Sequence, residues 1–189
     1  MSNEGIMDKK KIEKAVRMIL ESIGEDPERP GISKTPERFA RMCEEIFAGM
    51  REKAADVLKT LPSEKYRDMV LVRDIPFYSV CEHHLVPFFG KVHIAYVPSG
   101  RMTGLSKFAR LVEAFSKRLQ VQERITRQIA DAFQKKLKPE GVFVMIEAVH
   151  LCMVMRGIKK ERSSVVTVAA RGVFKKSEKQ AEVLNLIKK

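Results

Sequence analysis

Residues 69–97 read MVLVRDIPFYSVCEHHLVPFFGKVHIAYV. Around Met69 to Ile75 and again around Val92 to Val97, β-branched and alternating residues with Pro76, Pro87 and Pro98 as punctuation predict two strands. Their connection carries Cys81, Glu82, His83 and His84 in succession, so the stretch that starts a sheet also starts a site.

Working outward, the period changes. Phe108, Leu111, Val112 and Phe115, then Ile125, Ile129, Ala132 and Phe133, recur at helical spacing and predict helices over Ser106 to about Phe115 and about Gln122 to Leu137. The run Val142 to Val149 is too apolar and β-branched for a surface helix, and a second strand pattern occupies Ser164 to Phe174. Ser177 to Lys189 reads as a short amphipathic helix. Upstream, Ile12, Ala15, Val16, Ile19, Leu20 and Ile23 follow Asp8 at helical spacing and stop at Gly24. Thr35 as N-cap before Pro36 opens a second helix to about Ala48, with Gly49 behind it. The order predicts an α+β fold, with a helical N-terminal extension over 1–68 and one main unit over 69–189.

The 189 residues suit about one domain, and 44% hydrophobic with 32% charged residues fits a soluble protein. No apolar run approaches the ~20 residues of a membrane span. The start, Met1 to Lys11, is polar and lacks an apolar signal core, so the expected location is cytoplasmic. Three cysteines cannot pair evenly and point to metal rather than a disulfide framework. Cys43 is the exception, on an apolar helix face with Phe39, Met42, Ile46 and Phe47, and is expected in the core. The net charge of +12 predicts affinity for anions. Aromatic content of 7% with no Trp, and no aromatic–basic interleaving, speaks against a nucleic-acid module.

Cys81 and His84 stand at a spacing that lets one turn offer a thiolate and an imidazole to one ion, and Cys152 completes three protein ligands. Zinc is the default metal. Three ligands leave a fourth position for water, as in catalytic sites, and zinc lowers the pKa of such water to about 7. His83 and His150 remain unspent, and an imidazole titrating near neutrality can move protons. If His150 and Cys152 lie on an extended segment, both point to one face.

A second constellation suits phosphate. Ser106 as helix N-cap, with Lys107 and Arg110, brings free N–H groups, an ammonium and a guanidinium together. Arg156, Arg38 and Arg41 are further candidate phosphate donors, each by itself an ordinary surface charge. In Gln122 and Glu123, a carboxylate accepting two N–H donors complements the N1 and N2 edge of guanine, although the dipeptide alone reads as a solvated helix start.

These motifs, Cys81-Glu82-His83-His84, Gly104-Leu105-Ser106-Lys107, Gln120 to Arg124 and His150-Leu151-Cys152 with Arg156-Gly157, resemble the GTP cyclohydrolase I family in order and spacing, over about Lys10 to Phe174. The resemblance implies the tunnelling fold: an antiparallel sheet with two helices on one face, in the order ββααββ, assembling with copies of itself into a barrel. It implies a homodecamer of two pentamers with active sites between subunits, no nucleic-acid or membrane partner, and conversion of GTP and water to 7,8-dihydroneopterin triphosphate and formate. Cys81, His84 and Cys152 resemble the family's Zn2+ ligands, and His83 and His150 its proton-transfer histidines. Gln122 and Glu123 resemble the guanine-reading pair; Ser106, Lys107, Arg110, Arg156, Arg38 and Arg41 resemble the triphosphate-binding set. One departure is the strand after Arg156-Gly157, usually Ser/Thr-rich, where Ser163, Ser164 and Thr167 are interleaved with Val165, Val166 and Ala169. A different tunnelling-fold reaction, nitrile reduction, uses a nucleophilic Cys without the Cys-x-x-His and His-x-Cys pair found here.

Overall fold

The computed structural model describes residues 7–63 and 66–188; residues 1–6 of the polar start and Lys189 lie outside them. Helix α1 (Lys9–Ser22) opens where the Asp8 carboxylate accepts the Lys11 N–H at 3.0 Å, and the chain leaves it through Gly24 at φ +85°, a conformation open to glycine. Helix α2 (Thr35–Ile46) begins one residue earlier than expected. Thr35 is its first residue and not its cap, and Lys34 precedes it without a capping side chain. Pro36 has no N–H to satisfy, which removes part of the need for a cap. Cys43 is buried beneath α2, and burial pushes its thiol pKa up, while Phe39 and Met42 stay exposed. A short helix, α3 (Ala54–Val57), follows; Ala54 and Leu58 are packed into the main core.

Strands β1 (Leu61–Pro62) and β4 (Arg101–Met102) form a separate two-stranded ribbon. The main sheet has the order β5-β2-β3-β6-β7, from β2 (Val70–Cys81), β3 (Pro87–Val97), β5 (Leu119–Gln120), β6 (Gly141–His150) and β7 (Val165–Gly172). All its pairings are antiparallel except the two-residue contact of β5 with β2. Helices α4 (Ser106–Ser116) and α5 (Gln122–Leu137) lie between β3 and β6 in sequence and cover one face, which gives the expected ββααββ order. The chain closes with α6 (Leu151–Val154), before β7, and α7 (Ser177–Ile187), after it.

The first strand runs further than its sequence pattern, through Pro76 to Cys81. Proline is tolerated because β5 flanks β2 only at Val80 and Cys81, so Pro76 sits where β2 is an edge. A bulge between Val72 and Ile75 puts Asp74 at φ +59°, with its N–H donated to His93 Nδ1 at 3.2 Å.

The core follows the strand period. Ile94 and Tyr96 on β3, with Val142, Val144 and Ile146 on β6, face Phe108 and Leu111 of α4 and Ile129 and Phe133 of α5. Each such fully buried side chain contributes about 1.5–3 kcal/mol of transfer free energy. The alternate residues Ala95 and Phe143 point to the other face, where Phe174, just before α7, and Val183 on α7 cover them. Pairing of β3 with β6 sets Phe88 opposite His150, so the end of β6 arrives beside the β2–β3 connection.

Candidate active site

Cys81 is the last residue of β2, and the turn after it is closed by Cys81 N–H to Val86 O at 2.9 Å and Leu85 N–H to Cys81 O at 2.9 Å. That turn presents His83 and His84, each with Nδ1 3.9 Å from Cys81 Sγ. What separates the two histidines is Cys152. The ligand atoms of Cys81, His84 and Cys152 all lie within 4.8 Å of one another, whereas His83 projects outward, its side chain 65% exposed.

Cys152 reaches this cluster by a route the alternation argument does not predict. The extended segment stops at His150; Leu151–Val154 form a helical turn, and Cys152 sits on it. Pro87 has no N–H, and the β3–β6 ladder ends at Phe88 opposite His150. His150 therefore stays in the sheet register while Cys152 turns toward Cys81.

The donors fit a metal of zinc type. Bond lengths of ~2.3 Å to sulfur and ~2.05 Å to nitrogen at a tetrahedral ion put those two donors about 3.6 Å apart, near the 3.9 Å between Cys81 Sγ and His84 Nδ1. Burial, then the neighbouring Cys81, push the Cys152 thiol up, since a second thiolate there needs a balancing charge that a divalent cation supplies. Arg156 donates to His84 Nε2 at 3.1 Å. A neutral imidazole has one lone pair, so a metal held at His84 would compete with that contact and leave the guanidinium available to an anion.

Behind the cluster, His150 is half-buried and stacks on the fully buried Phe88 ring, centroids 4.6 Å apart and 9° from parallel. Burial lowers its pKa, with the Glu123 carboxylate opposing. Its Nε2 lies 2.8 Å from Gln122 Oε1. Gln122 is 1% exposed, and its amide nitrogen donates to Ile146 O, Val165 O and Thr167 Oγ1 at 3.0, 2.9 and 3.1 Å. The side chain expected to read guanine beside Glu123 is thus fully engaged within the protein. Glu123 itself is exposed and lines a cavity of about 350 Å³ with Thr126, Arg127 and Thr167–Arg171.

The phosphate candidates are placed differently. Ser106 is the first residue of α4 and makes no capping bond; the N–H groups of Lys107 and Phe108 are taken by Gly104 O and Leu105 O at 2.9 and 3.1 Å. The expectation of a Ser106 cap with free N–H groups fails because Leu105, already helical in backbone, tightens the first turn. Lys107 and Arg110 line a cavity with Glu52, Asp56, Lys59 and Glu113. The far end of α4 lies by the metal cluster, since Ser116 O accepts from Ser79 Oγ at 2.7 Å. Eleven residues at ~1.5 Å each put Ser106 roughly 16 Å from that end. Arg38 and Arg41 are exposed on α2, Arg41 3.8 Å from Glu37. Within one chain the structure gathers Cys81, His84, Cys152 and Arg156, with His83 beside them, but not the Ser106 group.

Sequence reasoning passed over two supports. Arg124 holds Glu82 bidentately at 2.5 and 2.9 Å, keeping its carboxyl below the usual range and tying the Cys81–His84 turn to α5. Glu82 stood inside the quoted motif, yet its partner lies 42 positions away. Thr126 and Thr167, with hydroxyls 2.7 Å apart, brace Gln122.

An antiparallel sheet with two helices on one face thus bears a Cys/His/Cys cluster at its hairpin end. Residues 12–188 match the GTP cyclohydrolase I family. The chain is 57% identical over 184 residues to GTP cyclohydrolase 1 of Carboxydothermus hydrogenoformans, covering 96% of each, and 58% identical to that of Clostridioides difficile, covering 96% of this chain and 97% of the other. Among solved structures, it is similar to the archaeosine synthase QueF-like in its apo form, at TM-score 0.47 and 19% identity over 55% of this chain and 93% of that one. The chain belongs to the GTP cyclohydrolase I family.

Proposed function

We propose that the protein is a zinc-dependent hydrolase converting GTP and water to 7,8-dihydroneopterin triphosphate and formate, the entry step toward tetrahydrofolate and other pterins. The observation that carries the reading is the convergence of Cys81, His84 and Cys152 within 4.8 Å, with His150 two residues from Cys152. Cys81, His84 and Cys152 would hold the ion, which when bound would supply acidity to a water. His150, with its lowered pKa, and the exposed His83 hold and move protons at the purine ring nitrogen beside C8 as the five-membered ring opens and formate leaves. The Glu123 carboxylate accepts from N1 and N2 of guanine. Arg156, once released by His84, and Lys107, Arg110, Ser106, Arg38 and Arg41 bind the triphosphate.

The last group belongs to a site shared between copies. What supports this is the ~16 Å of helix between Ser106 and the metal end of α4. Exposed Tyr78, Phe89, Leu85, Phe39 and Met42 add apolar surface that a neighbouring subunit can cover. We read the assembly as a homodecamer of two pentamers in the cytoplasm; among the described residues no helix is long and apolar enough to cross a membrane. The test is incubation of purified protein with GTP. Formate and, after oxidation, a fluorescent pterin are expected in equal amounts, and a chelator should abolish both. Pterin formation that persists after complete metal removal contradicts the reading.

A further inference from the structure

Gln122 enters the sequence as a polar residue at a helix start, yet it is 1% exposed and every polar atom of its side chain has a partner. Two of those partners, Ile146 O and Val165 O, are backbone carbonyls, which can only accept. The amide nitrogen must therefore face them. Oε1 is then turned toward His150, and as an acceptor it requires the proton to sit on His150 Nε2, 2.8 Å away.

The third partner makes the arrangement self-consistent. Thr126 gives its only hydroxyl hydrogen to Gln122 O at 2.8 Å, so across the 2.7 Å contact Thr167 donates to Thr126 and presents a lone pair to the Gln122 amide, whose two hydrogens are shared among the three acceptors. The Phe88 ring fixes the plane of the imidazole, and Gln122 fixes which edge carries hydrogen. A buried network satisfied at every member holds one arrangement.

We propose that Gln122 is a positioning residue: with its two amide hydrogens shared among three acceptors on β6 and β7, it holds the His150 imidazole in the tautomer with hydrogen on Nε2. The proposal rests on the reading of His150 as a proton-transfer group. It removes the Gln122 side chain from purine recognition and leaves that task to Glu123.

The test begins with the zinc-loaded, substrate-free protein labelled with 15N only in its four histidines. Magic-angle-spinning spectra at pH about 8, above the usual histidine range, are assigned by loss of the His150 signals in His150→Phe. The expected result is a single His150 tautomer protonated on Nε2; hydrogen on Nδ1, or an even mixture, overturns the proposal. This spectrum contains no GTP, so it stands or falls separately from the assigned reaction. The second measurement is Gln122→Met, with metal content checked. Its kcat should fall about tenfold or more while KM for GTP stays within about twofold, and the His150 tautomers should mix. A raised KM at unchanged kcat makes Gln122 a substrate ligand and overturns the proposal. Should Gln122→Met fail to fold, the wild-type spectrum alone decides.

Discussion

Cys43 and Cys152 share a side chain, and their surroundings give them different work. Cys43 lies under α2 with burial alone acting on its thiol, whereas Cys152 faces Cys81 and lies within ligand distance of His84. Cys152→Ser is expected to lose metal and activity together, with the far-ultraviolet circular dichroism of the helices kept. Cys43→Ser should keep full metal content and cost about 1–3 kcal/mol of stability through a buried hydroxyl. Elemental analysis alongside thermal melting separates the two. At this scale the Cys81, His84 and Cys152 cluster was legible because ligand chemistry restricts candidate donors to a few residue types at short spacings. Gln122 was not. A glutamine at a helix start looks solvated, and only the packing of α5 under β6 and β7 buries it.

Two strands deliver the site, and their spacing depends on Gly90. It pairs with Ala148 across β3 and β6, and a Cβ there would overlap the Glu147 carbonyl oxygen and lie 2.7 Å from the Ala148 Cα. Backbone cannot give way as a side-chain tip can. Gly90→Ala should push the strands apart, lowering stability by about 2 kcal/mol and the melting midpoint by roughly 5 °C, with weaker retention of zinc in dialysis. An unchanged midpoint and unchanged retention would show that the register tolerates the methyl. The elements themselves were largely readable: strands and helices from 69 onward follow the period of their apolar residues. The misreadings have local causes. Pro76 reads as a break but lies on an edge, and Thr35 and Ser106 read as caps but begin their helices. Cys152 reads as extended but sits on α6, past the last β3–β6 pair.

Over the whole molecule, the candidate metal and phosphate groups occupy opposite ends of α4, a separation invisible in a sequence that lists both sets within one chain. A shared site predicts complementation. Lys107→Ala and Cys152→Ser, each inactive alone, should regain part of the wild-type rate when co-expressed, because some interfaces join two intact halves. No recovery in mixed oligomers, verified by two affinity tags, would place the whole site in one subunit. The central claim, a three-donor centre with one open position, is tested most directly by X-ray absorption at the zinc edge of the loaded, substrate-free protein. The account predicts two sulfurs at ~2.3 Å and two lighter donors at ~2.0–2.1 Å, both of the latter remaining when every histidine but His84 is replaced. A first shell without sulfur, or one closed by four protein side chains, would contradict it.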